Sequence, residues 1–527
     1  MPLELQNPRV VESFDESSQL YSQIKRSVSG PGCVIAIRPQ YGDHDKDLLP
    51  FLESFLPLAE ELRKRAFQVV LLPSSEVPDS FRVQLNGIPL FTCPMERLVD
   101  LDFVDVFFTM DDVCPGQTRF PERAKVIALR HSFKWEAPGN TEPVHHYLEL
   151  AWESTAVDYV VRSNDNAAHF PLDAWRGVVT DTFPPDLHLR SSNTLGVIPA
   201  GYLKLDMYIK ACEQVREPDA LLFAPTRMIA DVLCKDFQLR YGAEILDALL
   251  TEFPDQNVIY RPYPSDRDSP EVKEIVERFK DNARFELDRS AQIGRTYARS
   301  MVLIGDMSHA SFSFCFSRLA PFVACSFDTE AKLRMDRCGY YAHDIAELIM
   351  DIRDLANRRA QWSSIIEKFR GEVISHAGHT AVYLAENVQY VLSGERRPDW
   401  AYIPKLSQPG SAWQVQDYLN SAQSWARLGA SRFTLPLAIL GLNVALDKFS
   451  DIALIHALKA RLLIDAESTD DAHIGRHDKT DDPMRAMARA FRLSSTEAMC
   501  IDWSKTELVT LIDRLIVHSN LGLEETP

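Results

Sequence analysis

The sequence predicts an α/β protein built from two Rossmann-like lobes in succession, followed by an all-α C-terminal appendix. Three observations lead there. Short apolar runs, of the kind buried on both faces of a parallel sheet, alternate with longer segments of helical spacing through the first three quarters of the chain. That alternation forms two series, the second beginning near Gly196. Beyond residue 400 only helical spacing remains.

In chain order, residues 1–30 are polar without a strong period and read as a surface extension with room for a short helix. The lobe expected over 31–195 opens with the strand Cys33 to Arg38. A helical segment from Leu48 to Ala66 leads to a second strand, Phe67 to Leu72, closed by Pro73. Further strands are expected at Val104 to Thr109, Lys125 to Leu129 and Tyr159 to Arg162. The lobe expected over 196–392 carries strands at Ala220 to Ala224, Gln256 to Tyr260, Ala283 to Leu287, Ser300 to Gly305 and Pro321 to Ser326. Helices such as Tyr241 to Phe253 and Glu271 to Phe279 separate them. Ile345 to Leu392 is helical in spacing and is punctuated by Ser393-Gly394 and Arg396-Arg397-Pro398. The segment 400–527 reads as a separate helical domain, interrupted by a polar acidic stretch at Glu467 to Asp482.

Composition narrows the function classes. With 527 residues, 46% hydrophobic and 25% charged, the chain is ordinary globular protein, too long for one core. Its 57 Lys and Arg against 75 Asp and Glu give a net charge of -18, which repels nucleic-acid phosphates, so no nucleic-acid partner is expected. No apolar stretch approaches the length of about 20 residues that spans a bilayer. The nine cysteines are scattered without a CxxC pair, which fits buried free thiols in a reducing cytoplasm.

Residues placed where strands end are the informative ones, because the carboxyl edge of an open parallel sheet forms the ligand crevice. After the first strand comes a loop with Tyr41, Asp43, His44 and Asp45, polar groups suited to an acceptor; Asp43 and Asp45 are also the pair to check for a metal, although none is expected. The strand at Lys125 to Leu129 delivers His131 to its end, where a neutral imidazole can take a proton from a hydroxyl. The strand at Ala220 to Ala224 ends in Pro225-Thr226-Arg227, a hydroxyl and a guanidinium whose fork matches phosphate oxygens. After Gly305, the turn Asp306-Met307-Ser308-His309-Ala310-Ser311 opens an apolar helix whose free N–H groups favour an anion, or merely receive an ordinary cap.

Gly201-Tyr-Leu-Lys-Leu-Asp206, Phe223-Ala-Pro-Thr-Arg227, Tyr260-Arg-Pro-Tyr-Pro264 and Asp306-Met-Ser308, as an ordered set, resemble the C-terminal lobe of the CDP-glycerol glycerophosphotransferase family, and His131 falls where that family has the His of a His-Gly motif. The resemblance spans residues ~30 to 392 and implies the two-lobed GT-B architecture, with the final helices crossing back to the first lobe. It implies a nucleotide-activated donor held by Gly201, Lys204, Asp206, Thr226, Arg227, Arg261, Tyr263, Asp306, Ser308, His309 and Ser311, with His131 as catalytic base and no cofactor or metal. The transferred group is then glycerophosphate, passed from a CDP-activated donor to a surface-polymer or lipid-linked hydroxyl. Such an enzyme works in the cytoplasm, at or near the inner face of the membrane, and its C-terminal helices offer a surface for peripheral membrane or protein contact. Three departures stand out: Tyr263 where the family carries His, Ser132 where it carries Gly, and His309 where it carries a second Ser. A tyrosine can donate a hydrogen bond but carries no positive charge. Two other readings therefore stay open: a glycosyltransferase of the same architecture using a nucleotide-sugar for surface polysaccharide, and a non-catalytic binding module on an eroded transferase core.

Overall fold

The computed structural model describes residues 19–28, 30, 32–39, 48–77, 82, 85–110, 120–130, 157–163, 192, 194–226, 237–290, 293–306, 309–327 and 337–404, with a few isolated positions beyond. Within these, the chain builds two sheets in turn. The first contains β1 (Val34–Arg38), β2 (Gln68–Leu71), β3 (Val106–Met110), β4 (Lys125–Leu129), β5 (Tyr159–Arg162) and β6 (Thr194–Pro199), all parallel, closed at one edge by the antiparallel β13 (Ala401–Pro404). Its order is β13-β6-β5-β4-β3-β1-β2, so the winding reverses between β1 and β3. The second sheet contains β7 (Ala220–Phe223), β8 (Asn257–Tyr260), β9 (Phe285–Leu287), β10 (Ser300–Gly305), β11 (Phe322–Cys325) and β12 (Gly339–Ala342). Its order, β12-β11-β10-β7-β8-β9, is that of a doubly wound nucleotide-binding sheet with its reversal between β7 and β10.

The strands form where the sequence is continuously apolar. Every residue of β1, β3, β5, β7 and β11 is buried, as expected of parallel strands covered on both faces. The helices follow the 3.6 period instead. A helix over residues 19–27 (α1) precedes the first sheet. In α2 (Leu48–Lys64), Phe55, Leu58, Ala59 and Leu62 form one fully buried stripe. Each fully buried Leu or Phe of this kind contributes about 1.5–3 kcal/mol.

The second lobe carries α3 (Leu203–Glu213), α4 (Phe237–Glu252), α5 (Pro270–Phe279), α6 (Gly294–Arg299), α7 (His309–Arg318), α8 (Ile345–Asn357) and α9 (Arg359–Val373). Local chemistry fixes several helix ends. Ser269 caps α5 by accepting from the Val272 N–H at 3.2 Å, with Pro270 in the first helical position. Asp344 caps α8 by accepting from Glu347 N–H at 2.7 Å, while the Glu347 carboxylate accepts from the N–H of His343, the residue before the cap, at 2.8 Å.

The chain then returns. Helix α10 (Thr380–Ser393) places Ala381, Leu384, Ala385, Val388 and Val391 in the first lobe's core with the stripe of α2. It stops on Gly394, a left-handed cap at φ 73°. Two boundaries differ from the sequence expectation. Gly196 lies inside β6, a strand of the first sheet, so the chain leaves that sheet only after Pro199. Residues 401–404, within the stretch expected to be helical, are an edge strand paired with β6. The edge of a sheet supplies hydrogen-bond partners that residue period alone does not reveal. Strands β6 and β12 also lie outside the strands the sequence predicts; β12 carries two half-buried tyrosines, which weaken the apolar signal. The helical domain expected further along falls outside the described residues.

Candidate nucleotide site at the switch point of the second sheet

Strands β7 and β10 lie side by side, and the residues that leave them meet at the carboxyl edge. Thr226, three residues past β7, donates its backbone N–H to Asp306 Oδ1 at 2.8 Å and its hydroxyl to Asp306 Oδ2. Asp306 directly follows β10 and is only 7% exposed. Burial pushes its carboxyl above the ordinary range, and the two bonds from Thr226 oppose that shift. The pair thus joins the two turns that border the crevice where the winding reverses.

Helix α7 begins immediately beyond. Its first turn is anchored by Tyr297, whose hydroxyl donates to the Ala310 carbonyl at 2.9 Å, and by the Tyr202 and Ser313 hydroxyls 3.1 Å apart. Ser311, on that first turn and 1% exposed, has a hydroxyl with no hydrogen-bond partner among the described residues. The positive end of this helix therefore opens at the same crevice as Thr226 and Asp306, an arrangement able to hold negative charge.

Arg261 follows β8 and is drawn into a buried cluster. Its Nη1 contacts Asp288 Oδ2 at 2.5 Å and donates to Ser290 Oγ at 3.1 Å. Burial alone would raise the Asp288 carboxyl, but Arg261, Ser290 and Thr296 hold it below its ordinary value. Tyr263 starts the short 3-10 turn Pro264–Asp266; its side chain is half-buried and its carbonyl accepts from Asp266 N–H at 2.9 Å.

Gly201, Lys204 and Asp206 occupy a different place, the seam where the chain passes between the lobes. Gly201 sits at φ 78°, donates its N–H to the Arg162 carbonyl at 3.0 Å, and has no room for a side chain: a Cβ there would lie 2.8 Å from the Ser375 carbonyl. Asp206 Oδ2 accepts from the Ala381 N–H of α10 at 3.0 Å, satisfying one of that helix's free amides from another element. Burial pushes its carboxyl up to about 6, against the pull of the α10 backbone. Lys204 is half-buried in the first turn of α3. These geometries give Gly201 and Asp206 a structural task at the seam.

Tyr41, Asp43, His44, Asp45, His131, Arg227, Ser308 and the side chain of His309 lie outside the described residues. Among the described residues, no group of three or more His, Cys, Asp or Glu side chains is placed to hold a metal, and no helix is long and apolar enough to cross a membrane.

The structure also draws attention to residues the sequence reading passed over. Arg130 directly follows β4 and Arg162 ends the neighbouring β5, so both stand at the carboxyl edge of the first sheet, and both are buried. A basic residue closing an apolar strand run, as in Val126-Ile-Ala-Leu-Arg130 and Tyr159-Val-Val-Arg162, is the signal that could have found them. On β1, Arg38 is buried too and spans the edge by donating to the carbonyls of Leu72, at 3.0 Å, and Cys93. In the second lobe, Gln238 on the first turn of α4 and the Tyr260 hydroxyl at the end of β8 are buried without a hydrogen-bond partner among the described residues. Each such group costs about 1–3 kcal/mol. No sequence signal marks Gln238, since its burial depends on how α4 docks.

No family model matches the chain, and no curated protein matches it. Among solved structures, it is similar to the wall teichoic acid polymerase TagF at 14% identity, over 74% of this chain and 96% of that one, with a TM-score of 0.45. It is also similar to a putative UDP-N-acetylglucosamine 2-epimerase from Listeria monocytogenes at 10% identity, over 69% and 98%, with a TM-score of 0.46. A third, an S. aureus MnaA–UDP co-structure, shows 11% identity over 73% and 100%, with a TM-score of 0.43.

Proposed function

We propose that the chain is a transferase that takes a group from a nucleoside-diphosphate-activated donor and passes it to a hydroxyl acceptor, the group being glycerophosphate from a CDP-activated donor and the acceptor a surface polymer or lipid-linked chain. The observation that carries the transferase reading is the Thr226–Asp306 junction at the reversal of the second sheet, with the start of α7 beside it. An edge so built can cradle a diphosphate on backbone N–H groups, with Arg227 and Ser308 adding charge and a hydroxyl.

In this reading, His131 takes the proton from the acceptor hydroxyl, whose oxygen bonds to the phosphorus bearing the glycerol. The bond from that phosphorus to the bridging oxygen breaks, and the pair stays on the departing CMP. Amide groups aimed at the leaving phosphate are stronger there than in bulk water and need no reorganisation. The loop of Tyr41, Asp43, His44 and Asp45 follows β1 in sequence and in this reading serves the acceptor, because β1 borders the reversal of the first sheet. The family resemblance in the ordered motifs supports the CDP-glycerol donor.

Tyr263 favours a second reading, sugar transfer from a nucleotide-sugar, because a neutral phenol stands where the resemblance calls for an imidazole. Nucleotide release with CDP-glycerol, CMP-sugars and UDP-sugars separates the two; release with none of them leaves a binding module. Removing Arg227 (Arg227→Ala) is expected to weaken nucleoside-diphosphate binding by about 1.5–3 kcal/mol in a calorimetric titration. His131→Ala is expected to abolish turnover and spare that binding.

A further inference from the structure

Gln238 is 2% exposed, and among the described residues neither its Nε2 nor its Oε1 has a hydrogen-bond partner. Buried amides are almost always satisfied, so a side chain that leaves both a donor and an acceptor open calls for a ligand or a trapped water. A leucine or methionine would fill the same space without that penalty.

Its position restricts the ligand. Gln238 lies in the first turn of α4, the helix that follows β7, and its Cγ and the Phe223 ring both lie within 4 Å of the Cβ position of Gly242. Phe223 ends β7 and stacks on Tyr260, the last residue of β8, at 5.7 Å and 17°. The Tyr260 hydroxyl, in the same aromatic cluster, is a second buried polar group with no partner among the described residues. The start of α4 also reaches across to Phe327, just past β11, through Phe237 at 6.0 Å and Tyr241 at 4.9 Å. The open amide therefore sits at the carboxyl edge of the sheet, on the elements that flank the reversal between β7 and β10.

The chemistry of an amide selects among the parts of a nucleotide. A phosphate offers only acceptors and would face Oε1 with like partial charge, whereas the edge of a nucleobase offers a donor beside an acceptor, the pattern that glutamine matches with two bonds. Neighbouring aromatic rings suit a flat heterocycle for the same reason. We infer that Gln238 is the residue that reads the base of the nucleotide donor, while the junction of Thr226 and Asp306 and the start of α7 serve its diphosphate. This rests on the transferase reading above.

The test is calorimetric titration of CDP, UDP and inorganic pyrophosphate into the full-length wild type and Gln238→Leu, with Gln238→Met as a second variant and a thermal melt of each. The melts are expected to be unchanged or raised, because an unsatisfied buried amide has been removed. Affinity for CDP or UDP, whichever the wild type binds more tightly, is expected to fall about tenfold or more while pyrophosphate stays within about twofold, the pattern of a lost bidentate base contact. Unchanged nucleotide affinity overturns the assignment and leaves Gln238 as the holder of a water. An equal loss for pyrophosphate also overturns it, as a general distortion of the edge. A wild type that binds pyrophosphate as well as it binds any nucleotide overturns base reading alone; one that binds none of the three overturns the transferase reading with it.

Discussion

At the scale of single residues, the molecule separates charges that stabilise from charges that are tolerated. Arg261 and Asp288 are both buried, their side chains 7% and 8% exposed, so neither can fall back on water if its partner is lost. Arg261→Met is expected to cost about 3–5 kcal/mol in urea unfolding by leaving Asp288 uncompensated, whereas replacing both partners with apolar residues is expected to recover most of that loss. Asp206 behaves in the opposite way. Its carboxyl is raised to about 6 from an ordinary value of 3.8, so below pH 3.8 folding gains its full share, and that share is lost as pH rises through about 6. At about 1.36 kcal/mol per unit the loss is at most about 3 kcal/mol, reduced by the side chain's partial exposure. Unfolding free energies at pH 4 and pH 7 are expected to differ less in Asp206→Asn than in the wild type; an identical pH dependence in the two would refute the assignment. Both residues were legible in the sequence as candidate site residues, but their bonding was not. Asp206 meets Ala381 across 175 positions and Arg261 meets Asp288 across 27, and no local pattern encodes such pairings.

Among the elements, the contrast between two glycines shows what a tight junction demands. Gly201 and Gly394 both have positive φ, 78° and 73°. An added Cβ at Gly201 meets the Ser375 carbonyl at 2.8 Å and Thr380 Oγ1 at 3.1 Å, while at Gly394 nothing lies within 4 Å. Gly394→Ala is expected to cost only the left-handed conformation, about 1 kcal/mol. Gly201→Ala adds displacement of the return segment, which is held by the 2.6 Å bond from Ser375 N–H to the Ser163 carbonyl, and is expected to cost more than twice as much, about 2–4 kcal/mol. Thermal melts of the two variants side by side check the ratio. The stop of α10 at Ser393-Gly394 was legible in the sequence, whereas β12 and β13 were not: β12 carries two half-buried tyrosines, and β13 is set by its pairing with β6.

Across the whole molecule, the first lobe is completed by chain that follows the second. Trp400 is buried, meets the Tyr159 ring edge-on at 5.9 Å, and donates its indole N–H to the Tyr383 hydroxyl at 2.9 Å. Beyond it, β13 covers the open edge of β6 with the pairs Ala401↔Val197 to Pro404↔Thr194. Trp400→Ala is expected to destabilise the first lobe by about 3–5 kcal/mol, the range for large aromatic deletions. Hydrogen exchange is the suitable measurement: amides of β4, β5 and β6 are expected to exchange faster, and those of β7, β10 and β11 to keep their protection. Equal loss in both sheets would mean that the two cores unfold as one unit.

The sequence by itself determined the α/β class, the two successive strand and helix series and the strand ends at which Thr226, Arg261 and Asp306 stand, because apolar runs and helical periods are local properties of the chain. Only the tertiary structure decided the rest: that Thr226 and Asp306, 80 positions apart, close on one another at the reversal of the second sheet, that Gly201 and Asp206 belong to the seam between the lobes, and that Gln238 is buried with its amide open. These outcomes depend on strand order and on which helix face docks. Both are set by burying apolar surface over long sequence separations, and neither is written in the residues that happen to meet.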